Sequence, residues 1–309
     1  MRIAVVGAGS VGGYYGGRLA QAGEDVIFIA RGEHLKAIQA TGLRVDSFQG
    51  NFVLHPVQAT DDPRKVGAVD MVLLGVKAWQ VPEVAPVLAP MLGTETGVIF
   101  LGNGVEAPAQ LAHALGPEAV LGGLTRISAA IAGPGHIKHL GIEPFIAFGE
   151  LDGHASARVE ALHQAFERAQ VKVSVPADIQ AAMWEKFIFI AAISGVGAVT
   201  RLPAGVFRRV PESRQMLEAA IAEVVAVARA RKINLLEDIA RRTLAIIDGL
   251  APSVTASMQR DIMEGRPSEL GAQNGAVVKM GLEAGVPTPV HAFIYASLLP
   301  QELKARGEK

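Results

Sequence analysis

The first half of the chain alternates short apolar runs with amphipathic stretches. Ile3-Ala4-Val5-Val6, Val26 to Ala30, Val69 to Val76 and Gly97 to Leu101 are continuous hydrophobic segments, the pattern of strands covered on both faces. Tyr14 to Ala22 and Glu106 to Leu115 repeat instead at helical spacing. Val120 to Ala132 reads as a further strand, Gly133-Pro134-Gly135 as a turn, and Ile137 to Leu140 and Phe145 to Phe148 as antiparallel strands. A helix from Ser156 to Ala169 and a strand from Val171 to Val175 close this half. The alternation predicts an α/β fold, with a doubly wound Rossmann-type domain over residues 1-176.

From Asp178 onward the period becomes helical. Pro211 to Lys232 places Met216, Leu217, Ala220, Ile221, Val224, Val225 and Ala228 on one side of a long helix. Further helices are expected over Leu236 to Leu250, Ser253 to Glu264, Ser268 to Ala284 and Pro289 to Lys304, with Ala284-Gly285-Val286-Pro287 as a stop signal. Phe187 to Thr200, between Lys186 and Arg201, is apolar but shorter than the ~20 residues of a membrane helix. It also contains Ser194, Gly195 and Gly197, and reads as a buried helix. Residues 177-309 are therefore expected to form an all-helical substrate and dimerisation domain, with ligands bound in the cleft between the two domains.

Composition narrows the partners. A formal charge of −1 over 309 residues gives no electrostatic reason to bind nucleic acid or an anionic membrane. The absence of cysteine excludes disulfides, thiolate catalysis and cysteine metal sites, and suits a reducing cytoplasm. The first strand begins at once, so no secretory signal is expected. The eight histidines have no metal-like spacing and no G-x-S-x-G elbow occurs, so neither a metal nor a serine nucleophile is assigned. A small-molecule substrate is expected, and the apolar helical half is compatible with a homodimer.

The candidate chemistry begins with Gly7-Ala8-Gly9-Ser10-Val11-Gly12, a G-x-G-x-x-G directly after the first strand and before a helix. Gly7 permits the turn, Gly9 lets backbone N–H groups approach a pyrophosphate, and Gly12 lets helix and strand pack closely. The bland alternative is a purely structural glycine turn in a chain with 34 glycines. The second strand ends in Ala30-Arg31-Gly32, where an NAD site carries Asp or Glu. Arg31 can pair with a 2′-phosphate, which favours NADP(H), unless it is a solvated loop arginine. Lys77 and Asn103 follow the strands Val69 to Val76 and Gly97 to Leu101, where ligands bind in such sheets. Lys77 can equally be a solvent lysine, and Asn103-Gly104 simple turn chemistry.

In the helical half, Lys186 precedes the long apolar run, with Trp184 two positions earlier. Desolvation there suits a lysine to proton transfer, although a lysine snorkelling from a core helix has the same pattern. Ile190 and Ser194 fall on the same helical stripe as Lys186. Glu269, after Pro267-Ser268, is favoured at a helix start with or without a function. Ser257 reads as a mid-helix residue.

These pieces together resemble the ketopantoate reductase (2-dehydropantoate 2-reductase) family across nearly the full length. The matching segments are Gly7 to Gly12, Ala30-Arg31-Gly32, Val76-Lys77-Ala78-Trp79-Gln80, Gly102-Asn103-Gly104, Trp184-Glu185-Lys186, Ser257-Met258 with Asp261, Glu269 with Asn274-Gly275, and Gly285-Val286-Pro287-Thr288-Pro289. The resemblance implies a Rossmann domain followed by a helical domain like that of 6-phosphogluconate dehydrogenase. It implies that Gly7 to Gly12, Arg31 and Lys77 bind NADPH, with Ala129 against it, and that Asn103 touches cofactor and substrate. Lys186 would then be the catalytic acid, Ser257 would hold the substrate's acid end, and Glu269 would stand beside nicotinamide and lysine. The implied reaction is reduction of a 2-oxo acid, 2-dehydropantoate by default. Three family asparagines are replaced here by Ile190, Ser194 and Ala204, which favours a less hydroxylated, more apolar oxo compound. Oxidation of a hydroxy acid in the reverse direction, and NADP(H) binding without turnover, are the competing readings.

Overall fold

Arg2–Val6 (β1) is buried beyond its first residue and lies inside an eight-stranded sheet of a computed structural model that describes residues 1–308. Ser10–Gln21 (α1) follows the glycine turn, then Asp25–Ile29 (β2), Gly32–Thr41 (α2), Leu43–Asp46 (β3), Phe52–Leu54 (β4), Gln58–Thr60 (β5) and Val69–Leu74 (β6). Next come Val81–Val84 (α3), Leu92–Phe100 (β7), Ala107–Leu115 (α4), Val120–Arg126 (β8), Ala129–Gly133 (β9), His136–His139 (β10), Phe145–Glu150 (β11), Ala157–Arg168 (α5) and Lys172–Ser174 (β12). The large sheet runs β12-β11-β8-β7-β6-β1-β2-β5. It is parallel from β5 to β8, while β11 is antiparallel to β8. The chain proceeds outward from β1 through β2 to β5, then returns to β6 on the other side of β1. The topological switch point therefore lies between β1 and β6, where α/β sheets open a crevice at their carboxyl ends.

Two compact units divide the chain: Met1–Gly102 with Ala107–Ile179, and Asn103–Glu106 with the residues from Gln180 onward. The core of the first is built from Ile3, Val5, Tyr14, Tyr15, Leu19, Phe28, Phe148 and Phe166, all fully buried.

Two features of this unit depart from the sequence pattern. The run Val120 to Ala132 is not one strand: it breaks after Arg126, and Ala129 opens β9, which joins a separate sheet in the order β4-β3-β10-β9. In that sheet β10 pairs antiparallel with β9 but parallel with β3, across some ninety residues of chain. Strands β3, β4 and β5 are only three or four residues long. Leu43-Arg44-Val45-Asp46 alternates, but over too few residues to mark a strand, and β4 and β5 carry no alternation.

The second unit is helical: Ile179–Thr200 (α6), Ala204–Phe207 (α7), Pro211–Ala230 (α8), Ile239–Asp248 (α9), Ser257–Met263 (α10), Ala276–Ala284 (α11) and Pro289–Arg306 (α12). At 22 residues α6 is long and apolar enough to cross a membrane, because the helix starts eight residues before Phe187. Burial decides its role: 67% of its apolar window lies inside the fold. Its glycines are gaps for buried amides. A Cβ at Gly195 would stand 2.5 Å from Asn274 Nδ2, and one at Gly197 2.5 Å from Gln259 Oε1. Gln259 Nε2 also donates to Leu202 O at 2.9 Å, seating α10 against the end of α6.

The docking of α12 onto α8 has a pH signature. Glu223 on α8 accepts the N–H groups of Val290 and His291 at 2.7 and 3.0 Å, filling donors that a helix start leaves open. His291 beside them is 0% exposed, and neither ring nitrogen has a hydrogen-bond partner among the described residues. Burial pushes its pKa down to about 4 from 6.5. The unfolded chain therefore binds the proton first. The stability contributed by neutral His291 is complete above pH 6.5 and is lost as pH falls through that value toward 4. The loss is on the order of 3 kcal/mol. Burial raises the Glu223 carboxyl, which works in the opposite direction and reduces the net effect. The expected result is that H291F loses less thermal stability than wild type between pH 6.5 and 4.5; parallel melting curves across that range would refute this.

Candidate functional site

In the first unit, the glycine turn closes by contacts that only hydrogen side chains allow. Gly7 has φ +90°, and a Cβ there would stand 2.9 Å from the Gly75 carbonyl carbon. A Cβ at Gly12 would stand 2.2 Å from Gly7 O. Gly75 is equally pinned, with its N–H on Val6 O at 2.8 Å and 2.8 Å between a built Cβ and Gly7 O. Sequence reading missed this third glycine, because nothing in its spacing ties it to the first two. Gly9 differs. Its φ of −72° suits any residue, and an added Cβ would meet only Ile131 Cδ1 at 3.8 Å. The fold does not need glycine there. Space is kept open above the start of α1, which is the fit expected of a dinucleotide phosphate cradle.

Arg31 is exposed and is the N-cap of α2, immediately beyond β2. Lys77 is partly buried beyond β6, its N–H donating to Gln80 Oε1 at 3.0 Å. Lys77 therefore lies past the carboxyl end of β6, which flanks the switch point, and Arg31 past that of β2, the strand on the far side of β1. Ala129 is partly buried at the start of β9, paired with His139.

In the second unit the structure brings together two candidates 166 residues apart: Asn103 Nδ2 donates to Glu269 Oε2 at 2.9 Å. Asn103 thus does more than shape a turn, although Gly104 beside it does take φ +109°. Glu269 is 4% exposed, two residues before a single turn of π-helix, Gly271–Gly275. A π turn holds one residue more than an α turn and changes the phase of the side chains around it. Glu269 meets Asn103, Ala272 O lies 3.2 Å from a Cβ built on Gly104, and Asn274 Nδ2 donates to Ala191 O on α6 at 3.2 Å. The loop carrying Asn103, the turn carrying Glu269 and the helix carrying Lys186 are thereby packed into one assembly.

Lys186 is partly buried on α6, and Ile190 and Ser194 follow it at four-residue intervals on an unbroken helix, as the sequence implies. Ser194 is 0% exposed and its Oγ has no hydrogen-bond partner among the described residues, nor do the Oδ1 of Asn274 and both amide atoms of Gln273. Gln273 was not singled out from the sequence, where it is one amide among many polar residues. Ser257 requires a correction. The helix begins at Ser257 rather than Ser253, so Ser257 is its first residue, not a mid-helix one. The carbonyls of Pro252 and Val254, which a helix starting at Ser253 would use internally, accept instead the N–H groups of Gly205 and Ala204, each at 2.9 Å. Gln259 on α10 packs at Gly197, in the later part of α6.

A doubly wound sheet with a glycine turn at its switch point, together with a helical unit that holds Lys186, Asn103 and Glu269, defines a two-domain Rossmann-type oxidoreductase. The pattern of the family Ketopantoate reductase PanE/ApbA matches residues 3–153, and that of its C-terminal domain matches residues 178–302. The chain belongs to the ketopantoate reductase family. An uncharacterized oxidoreductase, YkpB, of Bacillus subtilis is 30% identical over 298 residues, covering 96% of this chain and 98% of that one. The 2-dehydropantoate 2-reductase of Halobacterium salinarum is 31% identical over 293 residues, covering 94% and 95%. A solved PanE/ApbA family ketopantoate reductase from Ralstonia eutropha superposes with a TM-score of 0.89 at 33% identity, covering 99% of this chain and all of that one.

Proposed function

We propose that the protein reduces a 2-oxo acid to the corresponding 2-hydroxy acid with NADPH, in a reducing compartment such as the cytosol. The observation that carries this reading is the Asn103–Glu269 hydrogen bond in the same helical unit as Lys186; within the other unit, Gly9 is left open for a phosphate. Several relatives named 2-dehydropantoate 2-reductase support the reaction class. When bound, the reduced nicotinamide supplies a hydride to the carbonyl carbon. Lys186 stabilises the negative charge that develops on the carbonyl oxygen and gives that oxygen its proton. Glu269 accepts one N–H of Asn103 and so fixes the amide plane, leaving the amide oxygen and the second N–H to orient substrate and cofactor. Gly7 to Gly12 bind the pyrophosphate, Arg31 the 2′-phosphate and Lys77 the cofactor's phosphate side, with Ala129 lining it. Ser257 holds the substrate's carboxylate.

The default substrate is 2-dehydropantoate. A second reading, a more apolar oxo acid, rests on Ile190 and Ala204. Ala204 is 0% exposed with its N–H on Val254 O at 2.9 Å, so neither position offers an amide to a substrate hydroxyl. The test is NADPH consumption across a panel of 2-oxo acids that includes 2-dehydropantoate. Turnover with at least one is expected; NADPH binding without turnover on any would replace the reductase by a binding protein. Arg31→Ala should weaken NADPH about tenfold or more, the scale of one charge-assisted hydrogen-bonded pair, and leave NADH nearly unchanged. Titrations showing equal loss of both would remove the NADPH assignment.

A further inference from the structure

We propose that His34 is a positioning residue for the cofactor: it aims the Gly9 amide at the pyrophosphate. The assignment rests on the dinucleotide site proposed above. His34 stands on the first turn of α2, three residues after Arg31. Its Nε2 lies 2.7 Å from Ala8 O, and its Nδ1 lies 3.1 Å from the Gly135 nitrogen. The partners fix the ring's protons. A carbonyl oxygen only accepts and a backbone N–H only donates, so Nε2 carries the hydrogen and Nδ1 the lone pair.

Both anchors are themselves fixed. The Gly7 and Ala8 N–H groups donate to Ile29 O at 3.0 and 3.3 Å, so the fold has already used these two amides of the turn. The next peptide joins Ala8 to Gly9, and a trans peptide is planar with its C=O and N–H pointing in opposite directions. Once His34 holds the Ala8 carbonyl, the Gly9 N–H must point away from the imidazole. Gly9 is the N-cap of α1, where N–H groups and the helix dipole favour an anion. It is also the one glycine of the motif whose hydrogen side chain the protein interior does not require. On the other side, Gly135 has φ +69°, a built Cβ there would lie 3.1 Å from Ala37 Cβ, and its carbonyl accepts the Arg44 N–H at 2.8 Å. The turn between β9 and β10 is thus seated on α2 and holds the ring's far edge. One helical turn therefore carries Arg31 for the adenosine phosphate and His34 for the loop facing the pyrophosphate.

The role differs from that of Arg31 in what it predicts. NADH and NADPH share the pyrophosphate, so losing His34 should weaken both by the same factor. The experiment titrates wild type, H34F and H34Q with NADPH and with NADH, and melts each apo protein. H34F keeps a flat ring but has no donor; in H34Q the amide nitrogen can donate to Ala8 O while the amide oxygen accepts from Gly135. The expected result is a rise of about tenfold in both dissociation constants for H34F, an unchanged apo melting temperature, and recovery to within about threefold in H34Q. Wild-type affinity in H34F would overturn the assignment, as would an H34Q as weak as H34F, or a loss confined to NADPH. An H34F that melts early with H34Q fully restored in fold but not in affinity would also overturn it. Wild type that binds neither dinucleotide would instead sink the cofactor reading on which the assignment stands.

Discussion

Lys186→Ala is expected to lower the rate of the reductive step by about 10² or more while changing NADPH affinity by no more than about threefold. The size follows from what the ammonium does. Charge appears on the carbonyl oxygen only as hydride arrives, so a cation placed there stabilises the transition state more than bound substrate. Alanine removes both that charge and the proton, and water must then supply the proton from an unoriented position. The substitution should leave the fold alone. Alanine is the best helix former, Lys186 is only partly buried, and its neighbours Trp184 and Phe187 are held by their own edge-to-face contact at 5.6 Å. Single-turnover measurements at saturating NADPH separate the effects. A loss of rate with unchanged cofactor titration and melting temperature is the expected pattern. Retention of the rate within about threefold would remove Lys186 from the mechanism. The limb of the pH–rate profile that reports loss of the acid's proton should also disappear in the variant.

Legibility in the sequence divides along the range of the interactions. The first strand, the glycine turn and α1 depend on neighbours within a few residues, and their reading needed an adjustment of only a few positions at the helix start. The long helices α8 and α12 have strong start and stop signals, in Pro211 and Pro289 at their first positions and Gly307 just past the end of α12. The four-stranded sheet has no such signal. Its β3 and β10 are held together by pairing between Arg44 to Asp46 and His136 to Lys138, which only the closed fold supplies. The same limit applies to the site. Lys186, Ile190 and Ser194 share a stripe by helical period alone, whereas the meeting of Asn103 with Glu269 depends on two distant segments and a π turn that periodicity does not encode. His34 is the clearest example. An R-G-x-H sequence at a helix start says nothing until the Gly133-Pro134-Gly135 turn returns to the imidazole.

The three glycines of the dinucleotide motif should separate into two kinds when substituted. Gly12→Ala is expected to cost fold and binding together. Its Cβ would sit 2.2 Å from the Gly7 carbonyl oxygen and 3.1 Å from Val5 Cγ1, and the first of these is backbone that cannot rotate away. Either α1 lifts from β1 or the turn at Gly7 opens, and each moves the amides that face the phosphates. Overpacking of a rigid core costs ~1–3 kcal/mol, and a backbone overlap this deep belongs at the upper end or beyond. For a unit of this size that corresponds to a fall of roughly 6–12 °C in melting temperature. Dinucleotide binding should become undetectable. Gly9→Ala makes the contrast. Its backbone is in an ordinary extended region and its nearest new contact is 3.8 Å away, so the apo protein should melt within about 1 °C of wild type. The methyl group would occupy the space kept for the pyrophosphate, and affinity for NADPH and NADH should fall by about tenfold or more. Calorimetry and dinucleotide titration of the two variants decide the matter. Should Gly9→Ala bind as tightly as wild type, the open space above α1 is not where the phosphates sit, whatever the stability of Gly12→Ala.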